Sequence, residues 1–286
     1  MSFRQKPESI SLSLRKQGSN NWIPAFAGMT KSAFFNTPIS SMKDPREHLM
    51  VALDAPSFDE AVALVKKLKG TLKYFKVGLA LYTQSGPKII DVIHNQGGEV
   101  FLDLKFHDIP STVARAVEEA CRLNVFMMNV HATGGLEMMQ AAREAVAPCR
   151  GTVSAKRKPL LVAVTVLTSL ADLKPLGIFE TIPNQVLRLA RLTKEAGLDG
   201  VVASPLETAM IRKECGEKFV IVTPGIRPAG SGVGDQKRLA TPRDAIQNGA
   251  NFLVVGRPIT EASDPAAATN RCLALIGHRW GLKTPK

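Results

Sequence analysis

The sequence predicts an α/β protein with one domain, a closed (β/α)8 barrel of the TIM type, behind an N-terminal extension of low order. Three observations carry this reading. From His48 onward, eight short apolar runs alternate with amphipathic stretches. The eight units occupy about 235 residues, the length such a barrel takes. The first run gives way to Asp54-Ala55-Pro56. An open doubly wound sheet, the competing architecture, would carry a glycine-rich turn there.

Apolar runs of about five residues read as parallel strands buried on both faces. In order they are Leu49–Leu53, Tyr74–Val77, Val100–Leu104, Phe126–Val130, Leu160–Val166, Gly200–Ala203, Phe219–Thr223 and Phe252–Val255. Between them the spacing turns helical. Ala61, Val62, Val65 and Leu68 share one face, as do Val113, Ala116, Val117 and Ala120, and Val186, Leu189, Ala190 and Thr193. Thr241-Pro242 reads as an N-cap followed by proline at the first helical position. Eight strands and eight helices are expected.

Of 286 residues, 45% are hydrophobic and 22% charged, at a mean hydropathy of +0.02. That supplies a core and excludes disorder for the bulk of the chain. The longest apolar run, about Leu160 to Leu167, falls far short of the ~18–20 residues that span a bilayer. No membrane partner is expected. Cys121, Cys149, Cys215 and Cys272 are far apart and read as reduced, buried thiols of a cytoplasmic protein. The net charge of +12 raises a nucleic-acid partner. Yet residues 1–46 hold seven Lys/Arg against two acids, and the remainder carries only +7. Aromatic residues do not interleave with a basic stripe, so no nucleic-acid partner is expected.

Residues 1–46 lack sustained periodicity, and Pro24 and Gly28 interrupt the one candidate for a secretory apolar core. Asn21 to Thr30 resembles a translated bacterial repeat element found in unrelated reading frames. The segment reads as a disordered extension or a start placed too far upstream, Met42 or Met50 being more natural beginnings. Its basic, Ser-rich, acid-poor composition leaves a mitochondrial transit peptide as the alternative.

In a barrel, the C-terminal strand ends build the site. The first strand runs out to Asp54, the second holds Lys76, and the third reads Phe101-Leu102-Asp103-Leu104-Lys105-Phe106-His107-Asp108. Asp103 and Lys105 are two apart and face the same side. Charges facing into a barrel are costly unless paired. Lys76 can lie beside Asp103, with Asp108 just beyond, as an alternating Lys–Asp–Lys–Asp array. Taken alone, such an array also suits a structural ion-pair network. A second signal is independent of it. Gly225-Ile226-Arg227 follows the seventh strand and Gly256-Arg257 the eighth, where barrels bind phosphate. Glycine lets backbone N–H groups approach an anion, and arginine grips it bidentately. Between them, Ala229 to Gln236 suits a closing lid. No metal-ligand cluster is evident. His107 and His131 read as hydrogen-bonded structural residues, and Met127-Met128 and Met138-Met139 as core.

These residues closely resemble the bacterial orotidine 5′-phosphate decarboxylase family. The resemblance rests on Asp103-x-Lys105-x-x-Asp108 within Leu102 to Pro110. It extends to Val51 to Asp54, Lys76-Val77-Gly78, Asn129 to Ala132, Val164 to Ser169, Thr223 to Pro228 and Gly256 to Ile259. The order is the family's, over about residues 48–278. Only the extension and a basic insert near Lys156-Arg157-Lys158 depart from it.

The resemblance implies loss of CO2 from orotidine 5′-phosphate to give uridine 5′-phosphate, the last step of de novo pyrimidine synthesis. It also implies no metal, no organic cofactor and a homodimer. The reaction leaves a carbanion at C6 with no adjacent carbonyl to delocalise it. Lys105, as ammonium, stabilises that charge and donates the replacing proton. Asp103 and Asp108 favour its charged form. Asp103 also stands near the departing carboxylate, where like charge destabilises it. By the same resemblance Lys76 would hold Asp103 and a ribose hydroxyl, Asp54 would accept from ribose hydroxyls, and Thr168 would bond the pyrimidine. Gln236, Arg227, Arg257 and the Gly256 backbone would bind phosphate. Asp108 and Thr112 are expected, by the resemblance, to act across a dimer interface. Two rivals stay open. One is a related magnesium-dependent keto-sugar-phosphate decarboxylase or hexulose-phosphate synthase, which stabilises an enediolate. The other is a non-catalytic nucleotide-binding barrel. The Thr168-Ser169 segment and the long loop with Gln236 favour a nucleotide.

Overall fold

Eight parallel strands pair in sequence order, and the last closes on the first. The computed structural model describes residues 44–147, 158–228 and 239–277. The strands are β1 (Leu49–Ala52), β2 (Tyr74–Gly78), β3 (Glu99–Phe106), β4 (Met127–His131), β5 (Leu160–Val164), β6 (Gly200–Val202), β7 (Val220–Thr223) and β8 (Phe252–Val255). The predicted barrel and all eight strands are present, with ends shifted by at most two residues.

A helix follows every strand. These are α1 (Phe58–Lys67), α2 (Leu79–Ser85) with α3 (Lys88–Asn95), α4 (Pro110–Arg122), α5 (Gly135–Val146), α6 (Ile182–Glu195), α7 (Thr208–Cys215), α8 (Pro242–Gln247), and α9 (Arg257–Thr260) with α10 (Pro265–Gly277). Ten helices among the described residues replace the expected eight because two units hold a pair. Gly86 takes φ 55° and Pro87 cannot donate a hydrogen bond, so the chain breaks between α2 and α3. Thr241 caps α8 as predicted, its Oγ1 accepting from the Asp244 N–H at 3.2 Å. Thr241→Ala should cost about 1 kcal/mol, read as a fall in Tm of about 2–4 °C.

Period-two alternation sorts the strand residues. Met50, Ala52, Tyr74, Phe101, Met127, Val162, Val220, Val222, Phe252 and Val254 fill the barrel. Leu49, Val51, Phe75, Leu102, Met128 and Val130 belong to the layer shared with the helices. Met127 and Met128 are both core, on opposite faces. Tyr74, Phe126 and Phe252, with ring centroids 4.5–5.8 Å apart, fill the N-terminal end. Gly200 is required where β6 meets β7, because a Cβ there would collide with the Val220 carbonyl. A filled lower barrel leaves the C-terminal end for a site.

Asp44 caps a 3-10 turn at Pro45–Glu47 and pairs with Arg46 at 2.6 Å, so regular structure begins just inside the expected extension. Met50 lies inside β1, and the His48 carbonyl ahead of it accepts from the Leu253 N–H at 2.7 Å. A chain beginning at Met50 would forfeit that contact. The rest of the extension, Cys149, Lys156, Arg157 and the stretch Ala229 to Gln236 lie outside the described residues. Cys215 and Cys272 are buried free thiols, but Cys121 is disulfide-bonded. That corrects the expectation of four reduced thiols, since separation in sequence does not tell which side chains the fold brings together. Among the described residues, no helix is long and apolar enough to cross a membrane.

Candidate active site

Inward-facing positions continue upward from the apolar layers as polar ones. Two residues past Tyr74, β2 turns Lys76 inward; two past Phe101, β3 turns Asp103 inward. Lys76 Nζ lies 3.2 Å from Asp103 Oδ2 and 3.6 Å from Asp54 Oδ1. Lys105 Nζ lies 2.6 Å from Asp103 Oδ1. Asp103 is 8% exposed, whereas the Asp54 side chain is 64% exposed and open to a ligand. Burial alone would raise the Asp103 carboxyl. The charges of Lys76 and Lys105, with hydrogen bonds from Lys105 and Asn129, outweigh it and hold the group below its usual range. Asp103 is therefore a fixed anion at neutral pH.

Lys105 reaches Asp103 by an unexpected route. Its φ is 52°, in the left-handed region that a non-glycine residue enters at a cost of about 1–3 kcal/mol. The β3–β4 register shifts between Leu102 and Phe106, so β3 bulges there. Asn129, to which the sequence assigned no role, sits against this bulge. Its Oδ1 accepts the Lys105 N–H at 2.8 Å, and its Nδ2 donates to Asp103 Oδ1 at 2.7 Å. Its alternation with Met127 and His131 was the available signal: all three are inward positions of β4.

Asp54, Lys76, Asp103, Lys105, Thr168, Arg227, Gly256 and Arg257 all line one cavity of 590 Å³, a size that suits a small organic ligand. Arg227 and Arg257 stand close enough to interact. Burial, and then the Arg257 charge, push the Arg227 guanidinium down. Two like charges side by side in a cavity are relieved by an anion. The backbone beside them is pinned, the Arg227 N–H donating to the Ala240 carbonyl at 3.0 Å.

Two predicted residues are not in the cavity. Asp108 and Thr112 are exposed, and Asp108 Oδ1 accepts the Ile109 N–H at 2.6 Å. The four-membered array is thus three-membered within one chain, because Asp108 falls beyond the end of β3 and turns onto the start of α4. Gln236 lies outside the described residues. His107 and His131 stack at 5.4 Å, and His131 Nδ1 lies 2.6 Å from Thr133 Oγ1. Burial, then the charges of His107 and Lys105, push His131 down to about 4. An unfolded histidine titrates near 6.5, so the unfolded chain takes that proton first. Stability should be full above about pH 6.5 and decline as pH falls toward 4. Urea midpoints measured across that window should show a shallower slope in His131→Gln.

Comparison with known proteins follows the same lines. The family described as Orotidine 5′-phosphate decarboxylase / HUMPS matches residues 47–272. The orotidine 5′-phosphate decarboxylase of Nitrosospira multiformis is 51% identical over 232 residues, covering 80% of this chain and 93% of its own. That of Hydrogenovibrio crunogenus is 48% identical over 241 residues, covering 84% and 99%. The crystal structure of orotidine 5′-phosphate decarboxylase from Lactobacillus acidophilus matches with a TM-score of 0.71 at 36% identity, over 80% of this chain and 99% of that one. The chain belongs to the orotidine 5′-phosphate decarboxylase / HUMPS family.

Proposed function

We infer that the chain converts orotidine 5′-phosphate to uridine 5′-phosphate and CO2, the last step of de novo pyrimidine synthesis. The observation that carries this is the Lys76–Asp103–Lys105 chain of contacts, at 3.2 and 2.6 Å, in a cavity that Arg227 and Arg257 also line. In this reading phosphate lies against the two arginines and the Gly256 backbone. Ribose hydroxyls meet Asp54 and Lys76, and Thr168 bonds the pyrimidine.

The bond from C6 to the carboxylate then breaks heterolytically. CO2 departs and the electron pair stays on C6. Lys105 stabilises that pair as ammonium and delivers one Nζ proton to it. Water returns the proton to Lys105. Asp103 grips Lys105 and Lys76 on separate oxygens, so the donor is held in one place. Phosphate binding is remote from C6, yet its energy organises the site. Arg227→Ala and Arg257→Ala should each lower kcat/KM about 10–100-fold, the worth of a charge-assisted contact.

A second copy of the chain completes the site in this reading, contributing Asp108 and Thr112, whose exposure supports the assignment. The cytoplasm is the matching location. The magnesium-dependent rival is disfavoured because the Lys76 ammonium already bridges Asp54 and Asp103, the carboxylates a divalent ion would need. Purified chain incubated with orotidine 5′-phosphate should yield uridine 5′-phosphate by chromatography. Recovery of unchanged substrate would overturn the reading.

A further inference from the structure

We propose that Asn129 is the positioning residue of the reacting pair, its side-chain amide setting where both Asp103 and Lys105 stand. The inference rests on the decarboxylase reading above. Asn129 is fully buried and does not line the cavity. The β3–β4 ladder pairs Leu102 with Met128 and resumes only at Phe106 with Val130. One β4 residue, Asn129, therefore faces three β3 residues across the gap. There its amide takes the place of a backbone partner, accepting the Lys105 N–H at 2.8 Å. Its other end donates to Asp103 Oδ1 at 2.7 Å, the same oxygen that Lys105 Nζ holds at 2.6 Å.

The orientation of the amide is forced. A backbone N–H only donates and an ionised carboxylate only accepts. One planar group thus fixes the left-handed backbone of Lys105 and the oxygen its ammonium rests on. On the far side β5 pairs Val162 with Asn129 and offers no substitute. Without the amide the bulge relaxes and Nζ shifts relative to C6. A displacement of about 1 Å costs about 100-fold in rate.

The test is steady-state kinetics of Asn129→Ala, Asn129→Ser and Asn129→Asp, with circular dichroism to establish folding. Asn129→Ala should lower kcat about 100-fold while KM stays within about two-fold, since the residue does not reach the cavity. Asn129→Asp carries the sharper signature. Ionised, it accepts from the Lys105 N–H but repels Asp103; protonated, it makes both native bonds. The charged or titratable groups facing it are Asp103 and Lys105 on β3, Lys76 on β2 through Asp103, and His131 on β4; β5 presents only Val162. Its kcat should therefore climb relative to wild type as pH falls. Variants within about three-fold of wild-type kcat, or an Asp profile parallel to wild type, would overturn the proposal. If the Ala variant does not fold, the Ser and Asp variants decide, and loss of fold in all three also overturns it. An inactive wild-type chain would instead strike the decarboxylase reading.

Discussion

Lys105→Ala is expected to leave a folded chain whose kcat is lower by at least about 10,000-fold. Two losses multiply. Removing one preorganised charge from a developing anion costs about 100–1,000-fold. Removing the general acid costs about 100–10,000-fold more. The fold should survive, because Asp103 keeps Lys76 at 3.2 Å and the Asn129 amide at 2.7 Å and is not left as an unpaired buried charge. Binding of uridine 5′-phosphate, followed by calorimetry, should change little. Lys105→Arg should rescue poorly, since a guanidinium holds its proton too tightly to give it to carbon and is too wide for the same place. Activity within about ten-fold of wild type would remove Lys105 from the mechanism.

The second large effect is a gain. Lys105→Ala and Asp108→Asn chains should each be nearly inactive alone. Unfolded together in equal amounts and refolded, they should recover about a quarter of wild-type activity. If two copies share their sites as proposed, half of the random pairs are mixed, and in each mixed pair one site holds an intact Lys105 together with the partner's intact Asp108. The exposed setting of Asp108, outside its own chain's cavity, motivates the experiment. No recovery, with mixed dimers demonstrated by differential tagging, would confine each site to one chain.

What the sequence made legible divides along physical lines. The strands were readable because parallel barrel strands are buried on both faces and leave continuous apolar runs. Lys76 beside Asp103 was readable too, since neighbouring parallel strands bring equivalent inward positions together. The Lys105 backbone was not. No glycine marks the left-handed turn at φ 52°, and the bonds that hold it come from Asn129, 24 positions away in sequence. Motif spacing says nothing of where β3 ends, so the exposed setting of Asp108 beyond it is visible only in the structure. The split between α2 and α3 was written in Gly86-Pro87, a break hidden inside an otherwise helical stretch. The low proton affinity of His131 depends on burial and on His107 stacked against it, which no local pattern records.

The most direct test of the central claim is the ultraviolet absorbance of orotidine 5′-phosphate mixed with the purified wild-type chain in EDTA, beside the Lys105→Ala chain. The expected result is steady loss of the orotate chromophore with wild type, unaffected by EDTA, and none with the variant. An unchanged spectrum with folded wild-type protein, or turnover that EDTA abolishes, would contradict a decarboxylase driven by the Lys105 ammonium.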